Sequence, residues 1–273
     1  MLKLQISILF IIFSTHFLCG QKSFSINIGK NLGLPSPTVY DFIQDDKGFI
    51  WIASNSGLAR YDGFEFISYN SLKQTSLPGS NIQTDKWGRV WYQNFDGYLY
   101  YVKDEQMFAL KQNLPGEYVP FGIVGNYLFV VQQNGVDIFD LATLTKINSI
   151  NVPTYNILSS TVLNNAYYFL GENIVYKLDT NFNLKRCDYF VKEDIKVNLL
   201  KSDGKELFLT YKNREDHQLY FLDEHLSLKK KVNLSSTGWI VNAQFYNNNY
   251  WLYTNKGFSV YDQNWKEVLS NNT

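Results

Sequence analysis

Residues 34–69 read LPSPTVYDFIQDDKGFIWIASNSGLARYDGFEFISY. Short runs rich in Val, Ile, Trp, Tyr and Phe alternate here with pieces that bend the chain. Val39, Phe42 and Ile43 make the first run, Asp46-Lys47-Gly48 a turn, and Phe49 to Ala53 the second run. Asn55-Ser56-Gly57 turns again, Leu58 to Tyr61 returns, and Asp62-Gly63 leads into a fourth run, Phe64 to Tyr69. β-Branched and aromatic side chains fit a pleated, half-buried surface, while Asn, Asp and Gly supply tight turns between antiparallel neighbours. One four-stranded antiparallel sheet is predicted.

The same order recurs down the chain. Ile82 to Trp91 echoes Ile43 to Trp51 with one inserted residue, and Asp96 to Tyr101 echoes Ser56 to Tyr61. Fainter copies run over Tyr127 to Asp140, Tyr167 to Asp179 with Gly171-Glu172-Asn173 at the turn, and Leu207 to Asp223, where Asn213 to His217 lengthen a loop. The last copy, Tyr250 to Asp262 around Asn255-Lys256-Gly257, is clear again. A period of roughly 40 residues with four short strands per unit is the signature of a β-propeller. Helical repeats of that length would place apolar residues at i, i+3, i+4 and i+7, and no such stretch exceeds a turn or two. The fold class is therefore all-β, a propeller of about six recognisable four-stranded blades.

Composition agrees. Aromatic residues make up 17% of the 273, with 20 Tyr, 20 Phe and only 6 Pro, which suits broad sheet faces rather than a linker. Lysine plus arginine and aspartate plus glutamate each number 25, so no net field draws nucleic acid or an anionic membrane. The one tight basic run, Lys229-Lys230-Lys231, fits a solvated edge strand, where lysines block sheet-to-sheet pairing.

Residues 1–20 have a different character. Lys3 precedes an apolar run from Ile6 to Phe13, and Gly20 places a small residue before Gln21, the pattern of a secretory signal peptide. The run is short for a membrane span, which needs about 20 apolar residues. Cys19 raises a lipoprotein alternative, against which Phe17, Leu18 and His16 occupy positions that a lipid-attachment box fills differently. Residues 21–273 form the propeller domain. With Cys19 removed, Cys187 is the sole cysteine, which rules out an internal disulfide and reads as an inert, partly buried thiol. Of His16, His217 and His225, none has metal-ligand spacing, so no metal and no cofactor is expected.

Leu34-Pro35-Ser36, Gln44 to Ile52, Gly57 to Gly63 and Phe66 together resemble the opening blade of the two-component regulator propellers, periplasmic sensory domains of Gram-negative one-piece regulators. The likeness is strong over residues 34–69, moderate over 77–101 and weak in the middle blades. In that family a signal peptide is followed by two propellers of about seven blades, a β-sandwich, a transmembrane helix and a histidine kinase or DNA-binding output. The resemblance thus implies a periplasmic sensor of a two-component regulator, with an extracellular small molecule or glycan fragment as ligand and a transmembrane kinase or regulator as partner. Ending at Thr273 after six blades, the sequence is expected to be an N-terminal fragment, with a stand-alone sensor or decoy module as the alternative.

Recurrence argues for structural roles at Asp46, Trp51, Asp62, Trp91 and Trp251, since catalysis needs a group once per site rather than once per blade. Asp46 with Gly48, like Asp85 with Gly88, is expected to form a turn in which the carboxylate holds backbone N–H groups. Arg60 is expected to pair with a carboxylate or stack on an aromatic ring. A sialidase-like hydrolase would need three convergent arginines and a tyrosine nucleophile. Arg60, Arg89, Arg186 and Arg214 show no such pattern, and no catalysis is expected. An interaction scaffold is the remaining class, with Trp87, Phe95, Tyr155 and Trp239 near turns as candidate contacts and no assignable ligand-binding residue.

Overall fold

The computed structural model describes residues 28–111, 120–132, 134–152, 157–211, 217–234 and 239–272. The predicted signal segment 1–20, Tyr155 and Arg214 lie outside them. Each repeat folds as one four-stranded antiparallel sheet with its strands in chain order, six sheets in all. Blade 1 is β1 (Val39–Gln44), β2 (Ile50–Ser54), β3 (Gly57–Tyr61) and β4 (Phe66–Tyr69). Blade 2 is β5 (Gly79–Thr84), β6 (Val90–Asn94), β7 (Leu99–Lys103) and β8 (Gln106–Ala109). Blade 3 is β9 (Phe121–Val124), β10 (Tyr127–Gln132), β11 (Gly135–Asp140) and β12 (Thr145–Asn151). Blade 4 is β13 (Ile157–Leu163), β14 (Ala166–Gly171), β15 (Ile174–Asp179) and β16 (Leu184–Cys187), followed by the short helix α1 (Tyr189–Lys192). Blade 5 is β17 (Val197–Ser202), β18 (Leu207–Tyr211), β19 (His217–Leu222) and β20 (Leu228–Leu234). Blade 6 is β21 (Ile240–Tyr246), β22 (Asn249–Thr254), β23 (Gly257–Tyr261) and β24 (Glu267–Asn272).

The second strand of each blade carries an aromatic residue at one equivalent register: Trp51, Trp91, Phe129, Tyr168, Phe208 and Trp251. All but Trp251, which is half-buried, are buried. Both faces of a middle blade lie against neighbours, so β14 buries every residue, whereas outermost β20 exposes most of its own, including Lys229 to Lys231. Buried clusters fill the seams from blade 1–2 through blade 5–6. Each fully buried large apolar side chain contributes about 1.5–3 kcal/mol relative to exposure.

The turn chemistry corrects one expectation. The carboxylate that closes the first turn belongs to Asp45, not Asp46. Asp45 Oδ1 accepts from the N–H groups of Lys47 (2.9 Å) and Phe49 (3.0 Å), and Oδ2 accepts from Trp51 Nε1 (2.8 Å). Asp46 is exposed. Gly48, at φ 88°, sits in the left-handed region that this turn requires. The inserted residue expected in the second copy is not there: counted back from Trp51 and Trp91, Asp45 matches Asp85 and Gln44 matches Thr84, and β5 is bulged between Ser80 and Gln83 opposite β6. First strands of blades 1, 4, 5 and 6 are bulged too, nearer their first residues. Bulges bend a strand and increase its twist, and here they recur beside the ring axis.

A second aspartate closes the turn from third to fourth strand. Asp62, Asp140, Asp179, Asp223 and Asp262 each accept a backbone N–H two to three residues on, at 2.7–2.9 Å. In blade 1 this turn consumes Phe64, which is 91% exposed, so the fourth strand starts at Phe66 rather than Phe64.

Candidate functional site

Antiparallel connection sorts the loops onto two faces. Turns between second and third strands lie beside the chain entering each first strand, as Asn55 N–H to Thr38 O, Phe95 N–H to Pro78 O and Asn255 N–H to Trp239 O record. Phe95 and Trp239 therefore share one face of the ring. Trp87, in the turn between first and second strands, is on the opposite face, under Lys86 and Arg89 at 4.5 and 4.9 Å from its ring centre. The candidate aromatics do not converge on one surface. On the first face, Phe95 meets Tyr40 edge-on at 4.8 Å.

First strands of successive blades touch around the axis. Their polar side chains knit neighbouring blades together. Asp41 Oδ2 accepts from Ile82 N–H (2.8 Å), Gln83 donates to Phe121 O (2.8 Å) and accepts from Ile123 N–H (3.1 Å), and Ser159 donates to Leu200 O (3.0 Å). Lys201 differs. Its ammonium has no hydrogen-bond partner among the described residues, and the charge it feels is that of Asp41, from a blade that is not its sequence neighbour. Burial pushes the Lys201 ammonium below the ordinary 10.5, with Asp41 acting in the other direction. Burial likewise raises the Asp41 carboxyl above 3.8, opposed by the N–H groups of Ile82 and Phe42 and by Lys201.

A concavity of about 1050 Å³ lies on the outer edge of blades 1 to 3, lined by Leu72, Tyr101, Glu105, Phe108, Lys111 and Leu144 among others. Its size is that of a small-molecule site. Glu105 is held there by Arg60 Nη1 at 2.6 Å and by the Tyr69 hydroxyl. The Tyr69 hydrogen bond, ahead of Arg60, draws the Glu105 carboxyl below the ordinary 4.5.

Three arginines lie among the described residues. Arg60 lies over the Phe49 ring at 4.5 Å and pairs with Glu105, as its sequence context suggests. Arg89 bonds Asp85 Oδ2 (2.6 Å) and reaches Leu141 O (2.7 Å), tying blade 2 to blade 3. Arg186 is exposed on an outer strand beside Asp188. These three sit at separate places and form no carboxylate-binding triad. Among the described residues no group of three or more His, Cys, Asp or Glu side chains could hold a metal ion. Burial raises the Cys187 thiol, which keeps it protonated. No motif marks Lys201 or Asp41.

No curated protein matches the chain in sequence. Solved structures share its fold. The extracellular domain of a hybrid two component system from B. thetaiotaomicron superposes with a TM-score of 0.64 at 17% identity, covering 91% of this chain and 37% of that one. The extracellular domain of a one component system from the same organism gives 0.64 at 16%, covering 86% and 36%. Virginiamycin B lyase from Staphylococcus aureus gives 0.64 at 14%, covering 81% and 79%. This chain thus spans little more than a third of the two regulator domains. Within it, residues 33–56, which run from the approach to β1 through the end of β2, match the family model Two component regulator propeller. The chain is a six-bladed propeller whose first blade carries the two-component regulator propeller motif.

Proposed function

We propose that this chain is a non-catalytic, ligand-binding sensor propeller that works on the outer side of a bacterial inner membrane. Residues 1–20 direct secretion, and residues 21–273 bind an extracellular small molecule or glycan fragment and pass the bound state to a transmembrane kinase or regulator. The observation that carries this reading is the regulator-propeller motif at residues 33–56, on the fold used by two extracellular regulator domains. The rim concavity favours a second reading, a scaffold for a protein or glycan partner.

A thermal-melting screen of residues 21–273 against mono- and oligosaccharides and small metabolites tests the proposal. A ligand at about 100 times its Kd adds about 2.7 kcal/mol, a readable rise in Tm. Turnover of virginiamycin B by the purified protein would overturn the non-catalytic reading, and a screen without a single stabilising compound would overturn ligand sensing.

A further inference from the structure

We propose that the free edge of β8 is a strand-addition site, which takes an extended peptide with alternating apolar residues and an acidic amino-terminal end. This goes beyond small-molecule sensing and gives the scaffold reading a place and a chemistry. An outer strand presents backbone N–H and C=O groups on the side away from its sheet, and proteins guard such edges with charges or bulges. Four outer strands here are guarded. β12 carries Lys146 and a bulge, β16 carries Lys185 and Arg186, β20 carries Lys229 to Lys231 and a bulge, and β24 carries Glu267 and a bulge. β8 reads Gln106-Met107-Phe108-Ala109, uncharged and in unbroken register with β7, pairing Lys103 with Gln106 through Tyr100 with Ala109. β4 is also unguarded, but all of β8 lines the concavity and only Ser68 and Tyr69 of β4 do.

The groove suits such an occupant. Among the described residues no backbone hydrogen bond joins the outer side of β8 to another element. Met107 packs toward the seam of blades 1 and 2, while Phe108 stacks on Tyr101 at 5.5 Å and stays 40% exposed. Leu72, just past β4, and Leu144, on blade 3, line the same concavity. A fifth strand would set alternate side chains against Met107 with Leu72 and against Phe108 with Leu144. At about 3.3 Å per residue the four residues of β8 offer roughly 13 Å of edge, room for a peptide of about six residues with overhanging ends. Charge orients it. Lys73 and Lys111 follow the ends of β4 and β8, line the concavity, are exposed and form no ion pair among the described residues. At the opposite end the Glu105 charge is offset by Arg60 at 2.6 Å. The lysine end is therefore cationic, and in an antiparallel fifth strand it meets the first residues of the peptide.

Fluorescence anisotropy with the purified protein and the N-acetylated, carboxy-terminally labelled peptide Asp-Glu-Val-Thr-Val-Thr tests the assignment. That peptide should bind at least about tenfold more tightly than Lys-Lys-Val-Thr-Val-Thr, whose head is repelled, or Asp-Glu-Val-Pro-Pro-Thr, whose adjacent prolines remove a ladder N–H whichever side faces β8. Exchanging both cations, Lys73→Glu with Lys111→Glu, should reverse the preference between acidic and basic heads. Phe108→Lys should abolish binding, and the surface control Lys185→Gln should leave it unchanged. Hydrogen exchange should slow at Gln106 to Ala109 when the peptide binds. Equal affinity for the two heads, undiminished binding of the proline peptide, or protection elsewhere in the ring overturns the proposal. If Phe108→Lys does not fold, the exchange of the two exposed lysines decides. Binding of an oligoglucuronate with no peptide bound would assign the groove to a glycan and overturn it as well. A compound found in the melting screen with no peptide bound refutes strand addition alone, whereas peptide binding with an empty screen refutes small-molecule sensing alone.

Discussion

Replacing Asp45, Asp46 and Asp85 singly with alanine separates three roles that look alike in sequence. Asp85 makes four contacts: the N–H groups of Trp87 (3.0 Å) and Arg89 (3.1 Å), Arg89 Nε (2.6 Å) and Trp91 Nε1 (2.7 Å). Its side chain is fully buried, and that of Arg89 is 8% exposed. Asp85→Ala therefore strands a buried guanidinium and an indole N–H, which destabilises by about 3–5 kcal/mol. The remaining bond from Arg89 to Leu141 O does not neutralise that charge. Asp45 lacks an arginine partner and is half-buried, so Asp45→Ala loses three hydrogen bonds at about 1–3 kcal/mol in sum. Asp46 is exposed, and Asp46→Ala should stay within about 0.5 kcal/mol. In differential scanning calorimetry, at about 2–4 °C per kcal/mol, the Tm falls by roughly 6–20 °C for Asp85, 2–12 °C for Asp45 and under 2 °C for Asp46. A ranking in which Asp46 matches Asp45, or Asp85 costs no more than Asp45, would refute the reasoning from turn geometry and buried charge.

Three further outcomes follow from the seams and turns. A Cβ on Gly122 would meet the Tyr167 ring at 2.2 Å, so Gly122→Ala should lower stability by about 1–3 kcal/mol in urea unfolding as β9 is pushed from blade 4. Buried Trp251 Nε1 has no acceptor among the described residues, because the Asn247-Asn248 turn lacks the aspartate that Trp51 and Trp91 use. Trp251→Phe should therefore be milder than Trp91→Phe by about 1 kcal/mol in the same assay, and equal losses would count against it. The Glu105 carboxyl is lowered from 4.5 by Tyr69 and Arg60, so its contribution is present above the unfolded value and lost as pH falls through the folded one. Glu105 is largely exposed, so the Tm gap between wild type and Glu105→Gln should be small, under about 1 kcal/mol at pH 7, and close below pH 4.5. A gap that persists undiminished at pH 3 would sink the ion-pair account.

The sequence by itself determined the blade. Alternating apolar runs and Asp-Gly turns are local signals, because a strand's side-chain period and a turn's φ values are set within a few residues. Their recurrence gives six repeats, and the chain folds as six sheets. Local reasoning stopped at choices between neighbours: Asp45 and Asp46 are equally good turn formers, and the register of β1 against β2 decided which one faces the N–H groups. It placed Phe64 in a strand because nothing local shows how many residues the Asp62 turn absorbs. Only the tertiary structure put Trp87 on the opposite face from Phe95 and Trp239, and only the ring brought Asp41 and Lys201 into each other's field. Those two residues sit on blades far apart in sequence. Electrostatic interaction depends on distance through space, and that distance is fixed when the blades stack around one axis.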